Sequence, residues 1–254
     1  MSFNILEKLK RGKEVFGTWC MIPSSFTVDV IARTGLDFIV IDLEHGSISW
    51  ETCEEMVKSS ILHNCHPIVR VGDDQENTIL HALETGCEGV LVPHVSKVEK
   101  AKAIVEAARY FPYGKRGLSP YTRCHGYTHV DLAESMKRHG ESTFVGILVE
   151  GQEGINNLPE IAKVEGIDCI YLGMYDISQS VGLPGQLEHP DVINQLEKCL
   201  KIILTSGKTA GTFVRDIQTA KLYRSMGFKF LAFVADSYSM TTFYKNSVAE
   251  FHSK

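Results

Sequence analysis

No GxGxxG and no Walker-type loop follows any strand-like segment of this 254-residue chain. That argues against a nucleotide or dinucleotide site. There is no basic block either. Lys and Arg number 26 against 31 Asp and Glu, a net charge of −5, so the charge pattern asks for no nucleic acid. No apolar run approaches a membrane span. The N-terminal stretch, from Met1 to Lys10, is amphipathic and lacks the apolar core of a signal peptide. The seven cysteines are an odd count without a CxxC pair. They read as reduced, buried thiols of a cytoplasmic protein and not as a disulfide framework or a structural zinc site. Hairpin signals do not recur along the chain.

What is present is a repeat of apolar run and amphipathic stretch. The run Phe38-Ile39-Val40-Ile41 reads as a strand buried on both faces, and it ends abruptly in Asp42, Glu44, His45 and Gly46. Other strand-like runs begin at Val15, Pro67, Gly89, Phe144, Cys169, Thr209 and Phe230. Helical spacing follows each. Ser24 or Ser25 and Ser49 stand as caps, Gly35, Gly86, Gly207 and Gly227 as stops, and Pro190 as a first-turn residue. Pro159 predicts a kink or early break in a helix running from Gly154 to Val164. Residues 111–128 form a long irregular connection, a length often tied to function. Eight alternations in about 250 residues are the pattern of a (β/α)8 barrel, expected as a single domain over 1–254 with a short N-terminal packing helix. A doubly wound open sheet is the runner-up.

In such a barrel the active site collects at the carboxyl ends of the strands. Those ends here offer Asp42, Glu44 and His45, then Arg70, Glu150 and Asp176. Two carboxylates on neighbouring strands suit one hard divalent cation. His45 is a candidate acid or base, with Asp42, three residues before it, fixing its orientation. Arg70 is a planar, permanently charged donor for an oxyanion. Together they suggest carbonyl chemistry on a 2-oxo acid. Each has a plainer reading: Glu150 or Asp176 as a helix cap, His45 as a structural histidine.

The chain resembles the metal-dependent class II pyruvate aldolases of the HpcH/HpaI type. The carriers are Phe38 to His45, Pro67 to Arg70, Leu91-Val92-Pro93, Arg109 to Pro112 with Arg116-Gly117, Glu150, Gly173 with Asp176 to Ser178, and His189-Pro190. The resemblance runs from about Phe16 to Asp236. It implies Glu150 and Asp176 as ligands of magnesium, manganese or cobalt, His45 as acid/base with Asp42 as its partner, and Arg70 on the keto oxygen of pyruvate. It also implies that Glu84 reaches a neighbouring subunit's site. The assembly it implies is a hexamer, a trimer of dimers, whose last helix packs on a partner barrel.

Two departures stand beside the metal ligands. Leu148 replaces a family Gln, and Gly173-Met174-Tyr175-Asp176-Ile177 replaces Gly-Pro-x-Asp-Leu. Leu148, Gly173 and Tyr175 therefore join Arg70 as expected substrate-binding positions. The activity implied is reversible cleavage of a 4-hydroxy-2-oxo acid to pyruvate and an aldehyde. Two rivals stand beside it. One is a citrate-synthase-like condensing enzyme using oxaloacetate, with Arg116, Arg123 or Arg215 holding the second acidic group. The other is a non-catalytic oligomeric binding protein.

Overall fold

The strands are short apolar segments of four to six residues, each entering a ladder only with its two neighbours. They are β1 (Val15–Cys20), β2 (Phe38–Asp42), β3 (His66–Arg70), β4 (Gly89–Val92), β5 (Phe144–Val149), β6 (Cys169–Leu172), β7 (Thr209–Val214) and β8 (Phe230–Ala235). All pairings are parallel, and β1 pairs with both β2 and β8, so the sheet closes into a barrel in sequence order. This is the TIM-barrel fold; closure rules out the open doubly wound sheet. The computed structural model describes residues 4–253.

Period-two alternation on each strand divides the apolar residues into two layers. Inward residues fill the barrel. Phe230 stacks on Phe38 at 4.1 Å and on Phe144 at 5.4 Å between ring centroids. Outward residues such as Ile39, Ile41, Val69 and Ile147 pack beneath the helices. The helices between strands are α2 (Ser25–Ala32), α3 (Trp50–Ile61), α4 (Glu76–Glu84), α5 (Val98–Ala108), α6 (Leu132–Ser142) and α7 (Gly151–Ile161). Next come α8 (Met174–Ser180), α9 (Pro190–Thr205), α10 (Ile217–Met226) and α11 (Asp236–His252). Ser24 and Ser49 accept from Thr27 N and Thr52 N, the N-cap geometry their positions foretell.

Two helix bounds differ from expectation. α7 starts at Gly151, three residues before the expected Gly154, and ends at Ile161, two residues after Pro159 and short of the expected Val164. α8 lies where the sequence pattern marks no helix; its seven residues are too few for an apolar period to show.

α1 (Ile5–Lys10) lies over part of the amino-terminal end of the barrel. Ile5 and Leu9 enter the interior cluster. The helix is tied by Ile5 N to Glu88 Oε2 at 3.2 Å and by Lys8 Nζ to Asp37 Oδ1 at 2.9 Å. Among the described residues no helix is long and apolar enough to cross a membrane. α11 leaves Phe243, Tyr244 and Phe251 exposed.

The long connection before α6 is ordered by polar contacts. Arg116 is buried, donates to Glu84 Oε1 at 3.0 Å and lies over the Tyr110 ring. Tyr110 Oη lies 2.8 Å from His125 Nε2, and His139 Nε2 reaches the Cys124 carbonyl. Burial holds the His139 imidazole down to about 4, helped by Arg116, His125 and Arg138 and opposed by the Cys124 carbonyl.

In the unfolded chain His139 titrates near its ordinary 6.5. Between pH 6.5 and about 4 the unfolded chain therefore takes up the proton first, so stability present above pH 6.5 is lost as the pH falls through that window. Urea midpoints at pH 7.5 and 5.0 should fall further for the wild type than for His139→Gln. Equal falls in the two proteins would show that His139 plays no part.

Candidate active site

The site grows from the register of β2 and β3. Asp42 and Arg70 are paired positions at the carboxyl ends of these strands. In a parallel pair, side chains at paired positions point to the same face, so carboxylate and guanidinium meet inside the barrel mouth. Arg70 Nε donates to Asp42 Oδ1 at 2.8 Å and Nη2 to Oδ2 at 2.5 Å, a two-pronged pair. Arg70 Nη1 lies 3.1 Å from Glu44 Oε2. The guanidinium stacks over the Trp19 ring at 4.4 Å. Burial works against its charge, but the Asp42 hydrogen bonds and the Asp42 and Glu44 charges outweigh burial and move its pKa up.

Asp42 is 1% exposed. Its Oδ1 also accepts from Glu44 N at 3.0 Å and His45 N at 3.2 Å. The expected Asp42–His45 partnership is met in this structure only through the His45 backbone N–H. Asp42 holds the backbone of the turn and the Arg70 side chain, not the imidazole, because its partner in register is Arg70. His45 projects outward with its side chain 63% exposed, and its Nε2 is 4.0 Å from Glu44 Oε2.

Glu150 follows β5 directly and makes no side-chain cap bond to α7, so its carboxylate is left for the mouth. Asp176 lies in the first turn of α8. A methyl group on Gly173 would sit 3.0 Å from Asp176 Oδ2 and 3.5 Å from Glu150 Oε1. The two carboxylates thus face one spot, and glycine leaves it clear. Burial raises the Glu150 pKa; the charges of Asp176 and Glu44 add to that, while His94 and Arg70 oppose it. Glu150 Oε2 and Glu44 Oε2 are buried without a hydrogen-bond partner. Two hard oxygen donors, one with a buried orphan oxygen, fit a divalent cation. Among the described residues no three or more His, Cys, Asp or Glu side chains form a closed metal cage. Substrate and water would have to complete the shell.

His94 is the residue that pattern reading missed. It follows β4 with a left-handed backbone, φ +56. That is a costly conformation for a residue other than glycine. Its Nε2 is 2.8 Å from Glu44 Oε1 and its Nδ1 2.7 Å from Glu150 Oε2, ion-pair distances without hydrogen-bond alignment. The only signal was its place at the end of a strand.

The departures lie where their spacing puts them. Leu148 is 2% exposed inside the barrel and registers with Tyr171. The buried Tyr171 hydroxyl has no hydrogen-bond partner, and Leu148 cannot supply one as a glutamine would. Tyr175 is 55% exposed and packs near Phe213 at 5.8 Å. Glu84 is held by Arg116 of its own chain, with Oε2 left unpartnered. Arg116 is therefore committed. Arg215 pairs with Glu188 beside a cavity of about 280 Å³ whose lining includes Leu222 and Tyr223 of α10. Arg123 packs against Gly86.

The family model described as HpcH/HpaI aldolase/citrate lyase matches residues 16–242. A pyruvate aldolase of Rhizobium etli is 33% identical over 230 residues, 90% of this chain and 89% of that protein. A 4-hydroxy-2-oxo-heptane-1,7-dioate aldolase of Escherichia coli is 30% identical, over 90% and 87%. Among solved structures, the citrate synthase SbnG superposes with TM-score 0.89 at 30% identity, over 97% and 96%. An HpcH/HpaI aldolase from Desulfitobacterium hafniense superposes with TM-score 0.94 at 24% identity, over 100% and 98%, a likeness of fold.

The geometry separates Asp42 from His45. Asp42→Asn should cost about 3 kcal/mol of stability, the low end for breaking a buried ion pair, because Glu44 still faces Arg70. His45→Ala should stay within about 0.5 kcal/mol, as for exposed positions. Chemical unfolding of the two variants measures both. Equal small losses would mean that the Asp42–Arg70 pair does not organise the mouth.

Proposed function

Because this chain belongs to the HpcH/HpaI aldolase/citrate lyase family, we propose that it is a divalent-metal-dependent aldolase. It cleaves a 4-hydroxy-2-oxo acid reversibly to pyruvate and an aldehyde. The observation that carries this reading is a charge imbalance. Asp42, Glu44, Glu150 and Asp176 gather around Arg70. Four carboxyl groups against one guanidinium leave acidic groups in excess where an anionic 2-oxo acid must bind, even with the His94 ring beside two of them. Added positive charge is a condition of that binding.

Glu150 and Asp176 are the residues that would hold magnesium, manganese or cobalt. When bound, such an ion polarises the 2-oxo group and its carboxylate. The chain's own residues supply the rest. Arg70 keeps N–H donors beyond those used by Asp42 and Glu44, and presents them to the oxygen on which negative charge develops. The Trp19 face and the double carboxylate contact fix its plane. His45, exposed at the rim, takes the proton from the 4-hydroxyl. The C3–C4 bond then breaks, the aldehyde leaves, and the electron pair forms the pyruvate enolate, which is protonated at C3. Tyr175 and Phe213 shape the aldehyde side. The chain works as one barrel domain within a homo-oligomer, a hexamer built as a trimer of dimers. The exposed aromatic residues of α11 and the unpartnered Glu84 Oε2 support its assembly.

A second reading, oxaloacetate condensation, is favoured by His94. Protonated, it supplies positive charge from the chain itself between Glu44 and Glu150. The likeness to a structure named citrate synthase points the same way.

Glu150→Ala and Asp176→Ala should each abolish pyruvate-forming turnover while the protein stays folded, and excess chelator should do the same to the wild type. Full turnover in chelator would sink the metal half of the reading. His45→Ala should slow the aldol step by roughly 10²- to 10⁴-fold, the range for a positioned acid or base, and leave pyruvate binding in place. Loss of pyruvate binding with turnover would make His45 a binding residue. Citrate formed from oxaloacetate and an acetyl thioester in chelator, and lost in His94→Ala, would favour the second reading over the first.

A further inference from the structure

The amino-terminal end of the barrel is only half covered. α1 lies over the interior cluster and is tied to Glu88 and Asp37. Between it and the starts of β6, β7 and β8 remains a cavity of about 510 Å³, the size of a small-metabolite pocket. Three ammonium groups line it from three sides: Lys10 at the end of α1, Lys208 before β7 and Lys229 before β8.

They are not a fringe of solvated side chains. Lys208 is half-buried, and its Nζ is fixed by the carbonyls of Val164 and Ile167 at 2.8 and 2.9 Å, which leaves one N–H free. Burial lowers its pKa. Lys229 is half-buried, and its Nζ reaches across to Gly12, 3.3 Å from where a Cβ would stand. Among the described residues neither the Lys10 nor the Lys229 ammonium makes a hydrogen bond or an ion pair within 4 Å, although the Lys10 charge acts on Asp168. The lone carboxylate of the lining, Asp168, accepts from Arg109 Nη2 at 2.8 Å and Val145 N at 2.9 Å through Oδ2, and its charge also acts on Lys10 and Lys208. Three lysines against that one carboxylate, itself paired with Arg109, leave the wall positive in a chain of net charge −5. Holding three like charges around one cavity favours an anion between them.

We propose that this cavity binds a small phosphorylated anion. Lysine binds phosphate as a compact point charge, and three such charges around one cavity suit the multiple negative charge of a phosphorylated anion better than that of a single carboxylate. The lining offers three lysines and no arginine. The end of a barrel away from the mouth ordinarily serves stability alone. An anion here would bridge α1 to β7 and β8 and so fasten the plug across the uncovered side.

The probe is inorganic pyrophosphate, titrated calorimetrically into the full chain at low ionic strength without added divalent cation. One site per chain is expected. Its affinity should fall at least tenfold in Lys208→Met and in Lys229→Met, and stay unchanged in Lys245→Met and under saturating pyruvate. If Lys208→Met fails to fold for want of its carbonyl bonds, Lys10→Met takes its place beside Lys229→Met. Undiminished binding in the lysine variants, or displacement by pyruvate, would overturn the site. Tighter binding of tricarballylate than of pyrophosphate would overturn its phosphate assignment.

Discussion

The pairing of Arg70 with Asp42 is the constraint on which the mouth of this barrel depends. The two are neighbours in register at the ends of β3 and β2, so closing the sheet is enough to bring them together. A guanidinium 9% exposed and a carboxylate 1% exposed would each be costly alone. Joined by two hydrogen bonds and stacked on Trp19, they become a rigid floor. Asp42 also receives the N–H groups of Glu44 and His45. The turn that carries Glu44 and His45 is therefore tied to the same carboxylate as the arginine. Fold and site share one contact.

That floor is negative overall, which shapes what the rest of the mouth must do. Glu44 adds its charge to the same guanidinium, and Glu150 and Asp176 add theirs across Gly173. Burial then pushes the Glu150 carboxyl toward its neutral form. Carboxylates this close repel unless a cation, an imidazolium or a proton comes between them, and the His94 ring stands between Glu44 and Glu150.

The barrel was legible because its signals repeat. Eight buried runs with helical stretches between them leave few other architectures, and the long connection before α6 showed as a break in that rhythm. Asp42, Arg70, Glu150 and Asp176 were legible as polar ends of apolar strands. The partners of Asp42 were not. Three residues separate it from His45 in sequence, yet the pleat turns its side chain to a neighbour 28 positions away. Sequence distance suggested the imidazole as its partner, and register gives it the guanidinium. α8 was too short for a period, and His94 depends on a left-handed backbone that no pattern of residue types reveals.

His94 also bears on why one scaffold suits two related reactions. Cleavage of a hydroxy-oxo acid and condensation onto an oxo acid both pass through an enolate and a carbonyl, so both need charge balanced at the same point in the mouth. On the aldolase reading a cation at Glu150 and Asp176 would balance it from outside the chain. On the condensation reading the His94 ring, which lies between Glu44 and Glu150, would balance it from within. The left-handed turn after β4 places the ring at 2.8 and 2.7 Å from those two carboxylates. A side chain held there against its backbone preference competes for the Glu150 oxygen that a metal would use. The two readings of the mouth therefore differ in which positive group would hold that oxygen, and both keep the Asp42–Arg70 pair.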